Sequence, residues 1–325
     1  MQKRYTIGIR RMKIVFLDRS SIGSDIDLQK FEKLGEVVNY DFTYPEEVPD
    51  RAEDADILIV NKTLINEKTI GKAKNLKLVC VTATGTNNLD KEYLAKRKIE
   101  WRNVAGYSTE TVAQHTFALA LYLLEHLPYY DEYVSSGAYM GDRSFTHFAK
   151  NFHELSSLTW GIIGLGTIGK RVAQIASSFG CRVQYFSTSG HNHDDTYDEV
   201  DFDSLLKTSD IISIHAPLNE ATENLIDKDA LSKMKPTAIL LNLGRGPIVD
   251  EKALADAIKN HTIGGAGLDV LSVEPMSKEN PLSEVMDDER IIITPHIAWA
   301  SVEARVRLMD IIYHQVEEYL AEHGK

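Results

Sequence analysis

The stretch Thr159-Trp160-Gly161-Ile162-Ile163-Gly164-Leu165-Gly166-Thr167-Ile168-Gly169-Lys170 leaves this chain few folds to choose from. Trp160 to Ile163 is a short apolar run that reads as a buried strand, and Ile168, Val172, Ile175, Ala176 and Phe179 then recur at helical spacing. The joint between them is made of glycines. Gly164 allows the tight turn, Gly166 lets backbone N–H groups at the helix N-terminus approach a pyrophosphate, and Gly169 lets helix and strand pack closely. Gly180 closes the helix and Arg182 to Phe186 supply a second strand, so the spacing predicts a βαβ unit rather than an ordinary glycine-rich turn. Gly164, Gly166, Thr167, Ile168 and Gly169 are the candidate contacts to a dinucleotide.

A chain of 325 residues has room for two domains, each with its own core. The formal charge of −12 offers no basic face to a nucleic acid and argues against anionic membrane surfaces, which leaves small-molecule chemistry. Cys80 and Cys181 fall in or beside expected strands and read as buried thiols, which fits a reducing cytoplasm. Met1 to Arg11 carries basic residues, but the apolar run Ile14 to Leu17 is too short for a signal-peptide core or a membrane span. Residues 1–11 read as a disordered extension or an artefact of the chosen start codon.

From Met12 to Trp101 strands are expected near Lys13–Leu17, Glu36–Tyr40, Asp56–Val60 and Lys77–Val81, with helical stretches between, the alternation of a parallel α/β sheet. The small-residue loop Thr82 to Asp90 lies at the carboxyl end of a strand, where open α/β sheets meet ligands. A long helix is expected from about Ser108 to His126. The segment Ser135 to Leu155 has no clean period and holds Tyr139, Phe145, Phe148 and Phe152, which suit a subunit interface or an arm packed on its own chain. Further strands are expected at Val183–Phe186, Ile211–Ile214, Ala238–Asn242, Ala266–Val270 and Ile291–Thr294, with helices capped by Asp203, Asp227 and Asp250. The last helix, about Val302 to Leu320, is expected to return to the first domain. The fold class is thus α/β, with two Rossmann-like, doubly wound parallel-sheet domains. A cofactor domain (108–296) is inserted into a discontinuous substrate domain (1–107 and 297–325).

The chemistry should lie just after the strands of the second domain. His215-Ala216-Pro217 follow one strand, Leu243-Gly244-Arg245-Gly246 the next, Glu274-Pro275 a third and Pro295-His296 the last. A cation, a carboxylate and an imidazole at one sheet edge suit reduction of a 2-keto acid. The imidazole gives a proton near working pH, the carboxylate orients it, and the arginine grips the substrate carboxylate. Taken singly, Arg245 reads equally well as a turn residue, Glu274 as a loop acid and His296 as a cap or core histidine. His191, His193, Asp194 and Asp195 read as a solvated loop rather than a metal site, and no metal is expected. His115, on the long helix, has no partner that the sequence identifies and reads as structural.

These motifs together resemble the D-isomer-specific 2-hydroxyacid dehydrogenases, over nearly the whole chain from Met12. The likeness rests on the glycine turn, on Asn242 to Asp250, on Gly267-Leu268-Asp269-Val270 through Glu274-Pro275, and on Thr294-Pro295-His296-Ile297-Ala298. It implies Arg245, Glu274 and His296 as the catalytic three. It also implies Asp269 at the nicotinamide carboxamide, Thr84 and Gly85 offering N–H groups to the substrate carboxylate, and a homodimer. Ala83 through Asp90 and Val112 through Thr116 look most like the glycerate dehydrogenase (hydroxypyruvate reductase) branch. One position departs from the family pattern: Ser187 stands where NAD-dependent members place an acidic residue, with no Arg or Lys close behind it. NAD is the expected cofactor, with NADP possible. The resemblance leaves two other readings open: a D-lactate or bulkier 2-keto acid reductase, and a dinucleotide-sensing corepressor-like protein that binds without turnover.

Overall fold

The computed structural model describes residues 11–323, so the expectation for residues 1–11 falls, but for Arg11, outside the described residues. The chain divides into two compact units, one holding the described residues up to Ser108 and those from Ala300, the other Thr109–Trp299.

In the first unit β1 (Lys13–Phe16), β2 (Glu36–Asn39), β3 (Ile57–Val60), β4 (Leu78–Val81) and β5 (Glu100–Arg102) form a sheet in the order β2-β1-β3-β4-β5. Every pairing is parallel. The central strands β3 and β4 are apolar throughout because both faces are covered. β5 was not expected: Glu100, Trp101 and Arg102 are all half-buried, without the apolar run that marks an inner strand. The connections are shorter than the expected helical stretches. α1 (Val48–Arg51) and α2 (Glu67–Ile70) are single turns, α3 (Lys91–Arg97) is the longest, and the β1–β2 link uses only 3-10 turns.

The second unit opens with α4 (Thr109–Leu124) and α5 (Leu127–Ser135). Its strands are β6 (Thr159–Ile163), β7 (Arg182–Phe186), β8 (Asp198–Glu199), β9 (Ile211–Ile214), β10 (Ile239–Asn242), β11 (Gly265–Leu268) and β12 (Ile291–Ile293). They form a parallel sheet in the order β12-β11-β10-β9-β6-β7-β8. The chain starts in the middle at β6, runs outward to β8, then crosses to β9 and continues the other way. The order therefore reverses at β6, where open sheets of this kind bind dinucleotides. Six strands were expected; two-residue β8 is a seventh, exposed at the edge and too short to show a pattern.

The helices α6 (Thr167–Ser178), α7 (Phe202–Thr208), α8 (Lys228–Lys233) and α9 (Glu251–Lys259) cover the sheet. Asp227 and Asp250 cap α8 and α9 as expected, but Asp201, not Asp203, caps α7 by accepting from Ser204 N–H. Asp203 lies in the first turn of α7 and pairs with Lys233. The buried Trp160 ring packs on Phe117 of α4 and its indole N–H donates to Ser213 Oγ at 2.9 Å, so its polar atom is satisfied inside the core. The chain then returns to the first unit as α10 (Val302–His323), where the Arg102 guanidinium donates to Gln315 O and Gln315 Nε2 donates to Asn103 O.

Candidate active site

The glycine turn is built by close approach. Gly164 has φ +91°, and a Cβ there would lie 2.8 Å from the Ala216 backbone; one on Gly169 would lie 2.2 Å from Gly164 O. Gly166 differs, since a Cβ there would meet nothing within 4 Å. It is the N-cap of α6, makes no side-chain capping bond, and is followed by no acidic residue in the first turn. The positive end of this helix therefore opens into space with Thr167 and Ile168 as its first residues. Beside it lies a cavity of about 570 Å³ lined by residues that include Thr109, Lys170, Arg171 and Asn192.

Ser187 follows β7 and His215 follows β9, the two strands that flank β6. Ser187 Oγ and both ring nitrogens of His215 are buried without a hydrogen-bond partner among the described residues. Desolvation pushes the His215 imidazole down to about 3, so it is neutral. An unpaired buried polar atom costs about 1–3 kcal/mol, and such orphans beside an open helix N-terminus fit a ligand rich in hydroxyls and phosphate. A dinucleotide therefore fits the residues present. Ala216 is buried, Pro217 exposed and Leu243 buried at the end of β10, all along the same edge.

Further along that edge the polar groups are paired. His296 Nδ1 and Glu274 Oε2 are 2.7 Å apart, and Glu274 Oε1 accepts from Leu271 N–H at 3.1 Å. Because the carboxylate accepts, Nδ1 carries a proton, and Nε2 has no hydrogen-bond partner among the described residues. His296 holds φ +54°, an unfavourable conformation for a residue with a Cβ, and its N–H donates to both Asp269 O and Thr294 O at 2.9 Å. Arg245 is placed by Asn242, whose Nδ2 donates to Arg245 O and whose Oδ1 accepts from Gly244 N–H. A Cβ on Gly246 would lie 1.9 Å from the Leu271 carbonyl carbon, so the arginine turn rests directly on the loop that carries Glu274. The expected cation, carboxylate and imidazole thus share one edge of one sheet.

Asp269 is 2 % exposed, and its carboxylate is engaged with this turn. Oδ1 accepts from Thr294 Oγ1 at 2.6 Å and Ile297 N–H at 2.9 Å, and Oδ2 accepts from Ala298 N–H at 2.9 Å. The sequence reading missed a connection here: His115 Nε2 lies 3.0 Å from Thr294 Oγ1 and 3.7 Å from Asp269 Oδ1. A signal for it existed, since His115 sits between Val112 and Leu119 on the buried stripe of α4, where an imidazole needs a partner.

In the first unit, Thr84 and Gly85 follow β4. Thr84 Oγ1 donates to Val104 O and Asn103 Nδ2 to Thr84 O, while no acceptor among the described residues takes the amide N–H of either. His193 bonds Glu199 and Gly190 O, and Asp194 pairs with Lys170. Among the described residues no helix is long and apolar enough to cross a membrane.

A parallel sheet that reverses order at a glycine turn, with an imidazole–carboxylate pair on its carboxyl edge, defines a nicotinamide-dependent oxidoreductase. The chain belongs to the D-isomer-specific 2-hydroxyacid dehydrogenases: the model of that family's NAD binding domain matches residues 117–298. It is 37% identical to a hydroxypyruvate reductase of Blautia hydrogenotrophica, over 95% of this chain and 97% of that protein. It is also 37% identical to a glycerate dehydrogenase of Methylorubrum extorquens, over 95% of this chain and 96% of that protein. Among solved structures it resembles an acyclic imino acid reductase in complex with NADPH and D-Arg (TM-score 0.84, 33% identity, 96% of this chain and 98% of that one). The protein is an enzyme acting on the CH–OH group of 2-hydroxy acids with a nicotinamide dinucleotide.

Proposed function

We propose that the chain reduces a small 2-keto acid of the hydroxypyruvate or glyoxylate type to the D-2-hydroxy acid. The observation that carries the assignment of roles is the 2.7 Å pair of His296 Nδ1 and Glu274. When bound, the reduced nicotinamide supplies the hydride that reaches C2 of the keto acid. The His296 imidazolium gives its Nε2 proton to the C2 oxygen and becomes the neutral Nδ1–H ring, and Glu274, fixed by Leu271 N–H, keeps Nδ1 protonated and the ring in place through the step. Arg245 grips the substrate carboxylate and draws charge from the carbonyl as it becomes an alkoxide. In the first unit the open N–H groups of Thr84 and Gly85 serve a carboxylate.

The dinucleotide is held at Gly164, Gly166, Thr167, Ile168 and Gly169 through the pyrophosphate, and by Ser187, His215, Ala216, Pro217 and Leu243 along the edge. Asp269 keeps capacity at Oδ2 for the carboxamide. NAD is the preferred form and NADP is accepted, because Ser187 removes the repelling charge while Lys170 and His193 are tied to Asp194 and Glu199.

The working unit is a cytoplasmic homodimer joined through the segment that follows α5. His147 stacks on Tyr133 at 3.8 Å between ring centres, which seats this segment on α5, while Met140, Phe145 and Phe148 remain 84–90% exposed. Phe145→Glu combined with Phe148→Glu should convert the dimer to a monomer in light scattering; an unchanged mass would place the interface elsewhere. The substrate reading is tested by initial rates with hydroxypyruvate, glyoxylate, pyruvate and phenylpyruvate, each with NADH and NADPH. Hydroxypyruvate or glyoxylate should lead, and a lead for phenylpyruvate would overturn the small-substrate assignment.

A further inference from the structure

We propose that His115 is a positioning residue for the reaction, acting as a neutral Nε2–H donor that fixes the turn carrying His296 through Thr294 and Asp269. The inference rests on His296 being the acid/base group.

The argument is a count of protons. Asp269 Oδ1 lies 2.6 Å from Thr294 Oγ1 and also takes Ile297 N–H, so the carboxylate is an acceptor and the single threonine hydroxyl proton points to it. Thr294 Oγ1 then has only lone pairs left for His115 Nε2 at 3.0 Å. Nε2 must therefore carry a hydrogen. Burial disfavours a charge on His115 and pushes its titration down, with Asp269 pulling the other way, which agrees with the neutral Nε2–H tautomer that the hydrogen bonds require. The string His115 Nε2–H to Thr294 Oγ1–H to Asp269 Oδ1 is satisfied at each link.

This string has consequences for His296. Thr294 O and Asp269 O both accept from His296 N–H, and the Asp269 carboxylate takes the next two N–H groups, of Ile297 and Ala298. The residues that His115 steadies are thus those that hold His296 at φ +54°. Gly267, two residues before Asp269, lets α4 come close enough, since a Cβ there would lie 3.1 Å from Leu119 Cβ, one helical turn beyond His115. If the string were cut, the turn could relax toward negative φ and His296 Nε2 would lose its aim, a small displacement to which proton transfer is very sensitive.

The test compares His115→Leu, which removes the donor, with His115→Gln, which keeps an N–H at similar reach, both as NADH-loaded full-length enzyme. His115→Leu should lower kcat by about 10- to 100-fold with a much smaller change in NADH Kd, and His115→Gln should recover most of the loss. Thr294→Val should match His115→Leu, Thr294→Ser should stay near wild type, and the double variant should lose little more than either single one. Equal losses in His115→Leu and His115→Gln, or additive losses in the double variant, would overturn the proposal. Should His115→Leu not fold, the contrast between Thr294→Val and Thr294→Ser decides. Imidazole 15N shifts of the wild-type holoenzyme read the tautomer without any turnover: a protonated Nε2 supports the string and a protonated Nδ1 refutes it. Full turnover by His296→Asn would instead refute the acid/base role of His296 while leaving the tautomer reading intact, so the two failures are distinguishable.

Discussion

The carboxyl edge of the seven-stranded sheet has two parts that treat polar groups in opposite ways. Beside the glycine turn, at the ends of β7 and β9, Ser187 Oγ and the His215 ring nitrogens are buried and unpaired among the described residues. At the ends of β11 and β12, Asp269, Glu274, Thr294 and His296 are tied to one another and to backbone. The first part stores unused hydrogen-bonding capacity at a cost to the fold, which a ligand can relieve. The second spends that capacity on geometry before any ligand arrives, which suits a group that must hold its aim through a reaction. A binding region and a reacting region can thus be told apart by where the hydrogen bonds end.

The largest effect expected from this division is at His296. His296→Ala should reduce kcat by about 10²–10⁴-fold, the usual range for a general acid, with NADH affinity nearly intact. Stopped-flow single turnovers and NADH titration by fluorescence check both halves. A comparable loss of NADH affinity would mean that the two parts of the edge are not separate.

How far these two parts could be read from the sequence differs as well. The glycine turn was legible because three roles demand three glycines at fixed spacing, and the structure shows three different surroundings for them. Arg245, Glu274 and His296 were legible as residues at strand ends, and through the family resemblance, and the carboxylate was expected to orient the imidazole, but the geometry of that pair was not. Glu274 and His296 are 22 residues apart, and only the neighbouring of β11 and β12 brings them to 2.7 Å. His115 was hidden further, since its partner lies 179 residues away. The strands β5 and β8 were missed because edge strands lack the two-sided burial that produces apolar runs, and the α7 cap was misplaced because Asp201 and Asp203 are both acidic and only hydrogen-bond geometry separates them.

The next effect, intermediate in size, sharpens the binding side. Ser187→Asp supplies the missing carboxylate at the end of β7 and should lower NADPH affinity by about tenfold or more relative to NADH, through repulsion of the 2′-phosphate and a bond to the ribose hydroxyls. Competitive titration with the two reduced cofactors measures the ratio directly. If both affinities fall together, the orphaned Ser187 Oγ faces packing rather than the adenosine end, and the contrast between the two parts of the edge loses one of its two supports.

The smallest effect bears on the other orphan, and its sign follows from the direction of the shift. His215 titrates at about 3 in the folded protein against an ordinary 6.5, so below pH 6.5 the unfolded chain binds a proton that the folded chain refuses. The stability penalty is absent above 6.5 and grows by about 1.4 kcal/mol for each pH unit below it until the folded ring itself titrates near 3. Between pH 7.5 and 5.5 the cofactor-free protein should therefore lose roughly 1 kcal/mol through this residue, a fall in Tm of a few degrees that His215→Phe should not show. His115 shifts in the same direction and keeps its own share of the slope in both proteins, so the difference between them isolates His215. Equal slopes would mean that the His215 ring finds water or a partner in solution. In that case the unpaired part of the edge would reduce to Ser187, and the binding region would be distinguished by its glycines more than by its orphans.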